Sequence, residues 1–246
     1  VPKASPADQL QLLKIQELDT KITQLVHQRK TLPVLEKLND LQGRKTDVDA
    51  ALVNSRTAKE DLRRELTKAE ADVEQVANRI KRNESRLTAG EGSAKDLAAL
   101  QSELGSLQAR LEELEDIQIG VMERLDEHQS TLAELETAAD ALQVDIDAAE
   151  AERDQQDLEI VTAGRQATTQ RRVLAQAIDQ ELLNQYERIR KRVGQGAAAL
   201  RYRRCQGCQL ELNTHDIDRL RNAEEDDVLR CEECGRILVR TEESGL

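Results

Sequence analysis

The chain has 246 residues and a formal net charge of -12, with 38% hydrophobic, 34% charged and 1% aromatic residues and neither Phe nor Trp. A wide globular interior is excluded, because the large aromatic volumes that usually fill one are missing. Enrichment in Ala, Glu, Leu, Arg and Gln with three prolines is instead the composition of long helices that bury a narrow stripe. The apolar residues recur periodically, which argues against disorder.

The N-terminal stretch carries Leu10, Leu13, Leu18, Ile22 and Leu25 at helical spacing. Pro33, within "KTLPVLEKL", then removes an N–H donor and clashes with the preceding turn, so a kink or break is expected there. From Val48 a seam of alternating three- and four-residue steps runs through Leu52, Ser55, Lys59, Leu62, Leu66, Ala69, Val73, Val76, Ile80, Asn83 and Leu87. A cleaner seam runs from Leu97 through Leu104, Leu114, Val121, Leu132 and Leu142 to Ile146, continuing more weakly through Ala149, Ile160 and Leu174.

Between the seams, "LTAGEGSAKD" holds Gly90 and Gly92, which tolerate positive φ, and the S-x-x-D helix-start pattern of Ser93 and Asp96. A short turn at about 88–94 makes the flanking helices antiparallel neighbours, with facing residue numbers summing to roughly 180 to 184. That register brings Lys59 near Glu123 and Lys45 near Glu134 and Glu136. The segment before Pro33 would fold back along Ala149 to Leu174, and a helix from Lys95 towards Arg190 would run about 140 Å. A dimer or tetramer formed through the same seams is the rival to this intramolecular hairpin. His128, alone on the seam, reads as a polar interruption and not as a ligand.

All four cysteines form two C-x-x-C pairs, Cys205/Cys208 and Cys231/Cys234, 22 residues apart. This is close to the spacing of four-cysteine zinc sites, where two facing turns give tetrahedral S4 coordination. Gly207 and Gly235 would free the backbone where it wraps the metal. Iron–sulfur is the main alternative; a redox pair lacks its βαβ context, and disulfides are disfavoured in the cytoplasm expected here. His215 belongs to a short helix after a Thr214 cap. Four thiolates leave no open position, so one Zn2+ would be structural and would supply folding free energy that a segment of about fifty residues lacks.

The stretch "YERIRKRVGQGAAALRYRRC" gathers Arg188, Arg190, Lys191, Arg192, Arg201, Arg203 and Arg204 around a single acid, Glu187. Such a collar can contact phosphates, although arginines near a helix C-terminus or beside a doubly negative zinc–thiolate centre have structural reasons to be there. Gly194 and Gly196 would mark a joint between domains.

The fold expected is mainly α: residues 1–190 as an antiparallel coiled-coil hairpin kinked near Pro33, and residues 191–246 as a zinc ribbon. "CQGC", "CEECGRILV", "YERIRKRVGQGAAAL" and "KDLAALQSELGSL" resemble the bacterial four-cysteine zinc-ribbon proteins with a long N-terminal coiled-coil hairpin. The resemblance implies zinc on Cys205, Cys208, Cys231 and Cys234, a kinked hairpin and a non-enzymatic role. Some relatives act as adaptors or chaperones for an alternative sigma factor, secretion-apparatus components or a flagellin transcript. Val239 stands where many relatives carry an aromatic residue.

Two functions therefore compete: an adaptor or chaperone for an unidentified protein partner, or an RNA- or DNA-binding protein using the collar. An enzyme is the weakest reading, because no His, Ser and carboxylate set converges on a concave pocket, and no small-molecule substrate is expected. A membrane location is not expected either. No window approaches the roughly 20 apolar residues of a bilayer span, and neither end has a basic segment followed by an apolar run.

Overall fold

A computed structural model describes residues 2–90 and 92–246. Five helices and three short strands follow in the order α1 (Pro6–Lys30), α2 (Pro33–Ala89), α3 (Ala94–Ala177), α4 (Gln180–Val193), β1 (Ala197–Arg201), β2 (Arg204–Cys205), α5 (Thr214–Asn222) and β3 (Ile237–Val239). The chain divides into two compact units, one of residues 36–150 and one of residues 1–35 with 151–246. Among the described residues no helix is long and apolar enough to cross a membrane.

In the unit of residues 36–150, α2 and α3 form the expected hairpin. Every residue of both seams between Val48 and Ile146 is buried or half-buried, His128 included. The α3 start is a reciprocal cap: Asp96 N–H donates to Ser93 Oγ at 3.3 Å, and Ser93 N–H donates to Asp96 Oδ2 at 3.0 Å. Glu91 of the expected turn lies outside the described residues; Gly90 and Gly92 take φ of 69° and 129°, as glycine permits.

The counted register needs correction away from the turn. Arg79 pairs with Glu103 as counted, but Arg56 reaches Glu136 at 3.0 Å and Arg124 reaches Glu65 at 3.4 Å, both beyond the sum of 184. Leu52 packs with Leu132 and Ala139, flanked by Val48 and Leu135. Side-chain interlocking sets the layers of a seam, so counting from a loop drifts by up to about a turn. Lys45, expected near Glu134 and Glu136, instead holds Asp49 one turn along its own helix at 3.0 Å.

The other unit joins α1, the end of α3, α4 and the sheet. Ser5 caps α1 by accepting from Asp8 N–H at 3.1 Å, with Pro6 in the first helical turn where its missing donor costs nothing. The chain breaks between Lys30 and Pro33, where proline was expected to act. The buried face of α1 differs from the apolar stripe read in sequence: Leu12 and Ile15 are buried with Gln9, Gln16 and Asp19, whereas Leu10 is exposed and Leu13, Leu18, Ile22 and Leu25 are half-buried. Polar side chains occupy this face because each finds a partner: Gln9 Nε2 donates to Ala4 O at 3.0 Å, and Gln16 and Asp19 join a network set out below.

The long helix expected from Lys95 towards Arg190 is interrupted at Ile178 and Asp179. Asp179 accepts from Leu182 N–H at 2.8 Å and restarts the chain as α4. The expected boundary at 190/191 falls inside α4. Leu182, Leu183, Tyr186 and Ile189 of α4 share one core with Leu12 and Ile15 of α1 and with Ala197, Val228, Ile237 and Val239. The three strands run in the order β2-β1-β3, β1 antiparallel to β2 and parallel to β3.

Gly194 ends α4 at φ 81°, a left-handed cap. Gly196, expected from sequence to mark a joint, also serves a close approach. A Cβ there would lie 2.4 Å from Tyr186 Cδ2 and 2.7 Å from the Tyr186 carbonyl oxygen, so only glycine lets β1 pass this close to α4.

Candidate metal centre and basic collar

The two C-x-x-C turns are built alike. Gln209 N–H donates to Cys205 O at 2.8 Å, and Gly235 N–H donates to Cys231 O at 2.8 Å. Cys205 N–H then donates to Leu210 O at 3.1 Å, and Cys231 N–H to Arg236 O at 3.0 Å. In each turn the residue after the second cysteine is left-handed, Gln209 at φ 63° and Gly235 at φ 71°. Gly235 thus serves as expected. Gly207 has a different role: a Cβ there would meet Arg236 Cδ at 2.7 Å and Ala198 Cβ at 3.0 Å, so it allows close approach and not a positive φ.

The four sulfurs lie within 4.8 Å of one another, with Cys205 to Cys234 at 3.9 Å and Cys208 to Cys231 at 3.8 Å. Disulfides would need about 2.05 Å. A tetrahedron with Zn–S bonds of about 2.3 Å has edges near 3.8 Å, so the donor set fits one zinc ion. Cys205 and Cys231 are buried and Cys208 and Cys234 half-buried, in a core with Leu200, Leu212, Ile217, Leu220, Leu229 and Leu238.

Burial pushes the Cys205 and Cys231 thiols up from their ordinary range. Burial acts on Cys234 in the same sense, but hydrogen bonds from Arg236, Cys231 and Cys205 outweigh it and leave that thiol at about 7. A divalent cation among these groups would favour all four thiolates and hold the two turns together.

His215 is exposed and apart from the cluster, at the start of α5. Asn213 is the cap, not Thr214: its side chain accepts from Asp216 N–H at 2.8 Å. Val239 is fully buried in the core shared with α1 and α4, so no stacking surface is offered at that position.

The collar is divided. Arg190 is half-buried, 3.2 Å from Asp19 and 3.6 Å from Glu187. Arg201 pairs with Glu243 at 3.1 Å, Arg204 with Glu211 at 3.6 Å, and Arg203 Nε donates to Gly245 O at 3.1 Å. Arg188, Lys191 and Arg192 are exposed in the last turns of α4 and form no ion pair among the described residues. Positions 201–204 make a two-residue hairpin turn, with Arg201 opposite Arg204 and left-handed φ of 49° at Tyr202 and 59° at Arg203. The tail steadies this turn: Tyr202 and Arg203 N–H donate to the carbonyls of Glu243 and Ser244 at 2.8 and 2.9 Å. Tyr202 is 73% exposed.

A polar network that sequence reading missed lies beneath the collar. Asp19, 2% exposed, accepts from Arg171 Nε at 2.9 Å and from Tyr186 Oη at 2.8 Å, besides its pairing with Arg190. Arg171 also pairs with Glu187. Burial pushes the Arg171 guanidinium down, but its bonds to Asp19 and Glu187 outweigh that and raise it. Burial and the Asp19 bond raise the Tyr186 phenol, keeping it a donor. Gln16 Oε1 accepts from Gly196 N–H at 2.8 Å, tying α1 to the entry of β1.

Two matches to known proteins meet between residues 194 and 204. Residues 15–194 match the CT398-like coiled coil hairpin domain, and residues 204–238 match the C4-type zinc ribbon domain. The chain belongs to the CT398-like coiled-coil hairpin family. It carries the family's hairpin with a ribbon suited to one structural zinc ion. It is 37% identical over 240 residues to the protein Rv2229c of Mycobacterium tuberculosis, covering 98% of each chain. A solved structure from Mycobacterium smegmatis is similar at a TM-score of 0.86 and 34% identity, over 97% of this chain and 100% of that one. CT398 of Chlamydia trachomatis shares the fold at a TM-score of 0.69 and 24% identity, over 96% of this chain and 98% of that one.

Proposed function

We propose that the protein is a non-enzymatic adaptor or chaperone, whose zinc-held head presents a surface to a protein partner. Cys205, Cys208, Cys231 and Cys234 are the ligands in this reading. Together they fill a tetrahedral shell, leaving no position where a metal-bound water or substrate could react.

The observation that carries the choice of a protein partner is the neutralisation of the collar. Arg190, Arg201 and Arg204 are engaged by carboxylates, and Arg203 by a backbone carbonyl. A surface committed to phosphates would keep these guanidinium groups unpaired. The test is a photo-crosslinking amino acid at the exposed Tyr202 position in cells. Adducts that resist nuclease and yield to protease support the adaptor; adducts that nuclease removes sink it.

A second reading, nucleic-acid binding, rests on Arg188, Lys191 and Arg192, which are exposed and form no ion pair among the described residues. Changing all three to Gln would flatten the salt dependence of nucleic-acid binding by up to about three units if they contact phosphates. Binding undetectable at low salt in the parent chain removes this reading.

A further inference from the structure

Beyond Asp19 the first helix has no fully buried residue, although Ile22, Leu25 and Val26 are apolar. These three line an open groove of about 520 Å³ against Val161, Gly164 and Thr168 of α3. Leu18 and Val173 prolong it through a second hollow of about 350 Å³ that shares Thr169. Val26 is 51% and Val173 58% exposed. Along α1 the positions 18, 22, 25 and 29 step by four, three and four, the spacing of a coiled-coil face. A second helix already occupies one side of that face. The groove has the form of a seat for a third.

The charges around it select the occupant. Among the described residues, Arg29 and Arg165 are the charged ones that line the groove. Arg29 holds Asp157, with Nη2 to Oδ2 at 3.0 Å, whereas Arg165 is exposed and forms no ion pair among the described residues. Arg29 is thus neutralised, and Arg165 leaves an unpaired positive charge at the rim of the groove in a chain of net charge -12. A helix flanked by carboxylates meets attraction here, and one flanked by lysines meets repulsion. The floor has room for a bulky side chain, because a Cβ on Gly164 would find nothing within 4 Å.

We propose that the α1–α3 groove is a docking site for an amphipathic helix of another protein, with an apolar stripe of about three turns flanked by acidic residues. The proposal rests on the adaptor reading and names where one partner segment binds and what chemistry it carries. Recognition is helix-in-groove, with apolar anchors at three- and four-residue spacing and a carboxylate on Arg165.

The test uses the full chain and two synthetic helical peptides of about 20 residues with identical leucine stripes, one flanked by glutamates and one by lysines. At physiological salt the glutamate peptide should bind at least tenfold tighter than the lysine peptide. Gly164→Leu fills the floor and should weaken it at least tenfold, while its greater helix propensity leaves the unfolding temperature no lower than in the parent. Arg165→Glu should reverse the peptide preference. Equal binding of both peptides, or binding unchanged by Gly164→Leu, overturns the proposal. A parent dimer in sedimentation that Gly164→Leu makes monomeric also overturns it, since a second copy then fills the groove. Nuclease-resistant crosslinks at position 202 that persist when neither peptide binds leave the adaptor reading standing and remove this one.

Discussion

The unit of residues 36–150 and the unit holding the zinc ribbon reach stability by opposite routes. The first repeats one device, a seam of residues such as Leu52, Leu62, Leu114 and Leu132 buried at three- and four-residue steps. No single layer is indispensable to such a seam, because each contacts only its neighbours. The second combines unlike devices used once each: four clustered cysteines, a buried carboxylate at Asp19 and a glycine that must be glycine at position 196. Repetition makes a structure tolerant, and unique contacts make it brittle. That contrast can be broken experimentally at several sites of decreasing effect.

The largest effect should follow metal removal. A chelator, or Cys231→Ser, should unfold the ribbon outright, because structural zinc supplies folding free energy of about 10 kcal/mol or more in small zinc domains. Hydrogen exchange should then show lost protection across residues 197–239 with protection kept in residues 48–87. Equal loss in both regions would show that they fold as one cooperative unit.

Next comes Asp19→Ala. It removes the buried carboxylate that Arg171 and Arg190 share, leaving them the half-buried Glu187, and it removes the nearer of two acceptors of Tyr186. Breaking a buried pair from one side costs about 3–5 kcal/mol, and the lower end applies because both arginines are partly exposed and can rehydrate. Chemical denaturation of the full chain measures it. A loss below about 1 kcal/mol would place Asp19 among the tolerant positions and blur the comparison.

Leu132→Ala should cost less, about 2 kcal/mol, because a seam two helices wide can close partly around the gap. The loss should appear as local exchange near residues 48–52 and 132–139, the cluster around Leu52. Protection kept elsewhere in residues 36–150 would support the tolerance argued above.

Repetition also decided what could be read from sequence. The faces of the seams from Val48 to Ile146 were legible, because a period of three and four picks out which residues are buried, whereas their pairing register was not. The cysteine cluster was legible for a similar reason, since two spaced pairs admit few geometries. Gln16 and Asp19 were not, because a polar residue is placed inside only by partners far along the chain, here Tyr186, Arg171 and Gly196. The collar looked more basic than it is in part for the same reason: Asp19 and Glu243, which pair with Arg190 and Arg201, are distant in sequence. The break at Asp179 did leave a signal, a capping residue followed by Glu181 in the first turn. It was hidden because Leu174, Ile178 and Leu182 keep helical spacing across it.

The smallest effect compares the two halves of the metal centre itself. Gln209 and Gly235 occupy equivalent places, each following the second cysteine of its turn and each donating to the carbonyl of the first cysteine at 2.8 Å. Both are left-handed, but only one is glycine. A residue with a Cβ pays about 1–2 kcal/mol in this conformation. Part of that is offset by the Gln209 side chain, whose Nε2 donates to Gln206 O at 2.9 Å in an exposed setting worth less than a buried bond. Glycine also has more freedom to lose on folding. Gln209→Gly should therefore stabilise the zinc-loaded protein by only about 0.5–1 kcal/mol, and it should slow metal release to a competing chelator in the same proportion. If Gln209→Gly instead destabilises the ribbon, the side-chain bond to Gln206 outweighs the backbone strain, and the two turns are alike in geometry but not in what holds them.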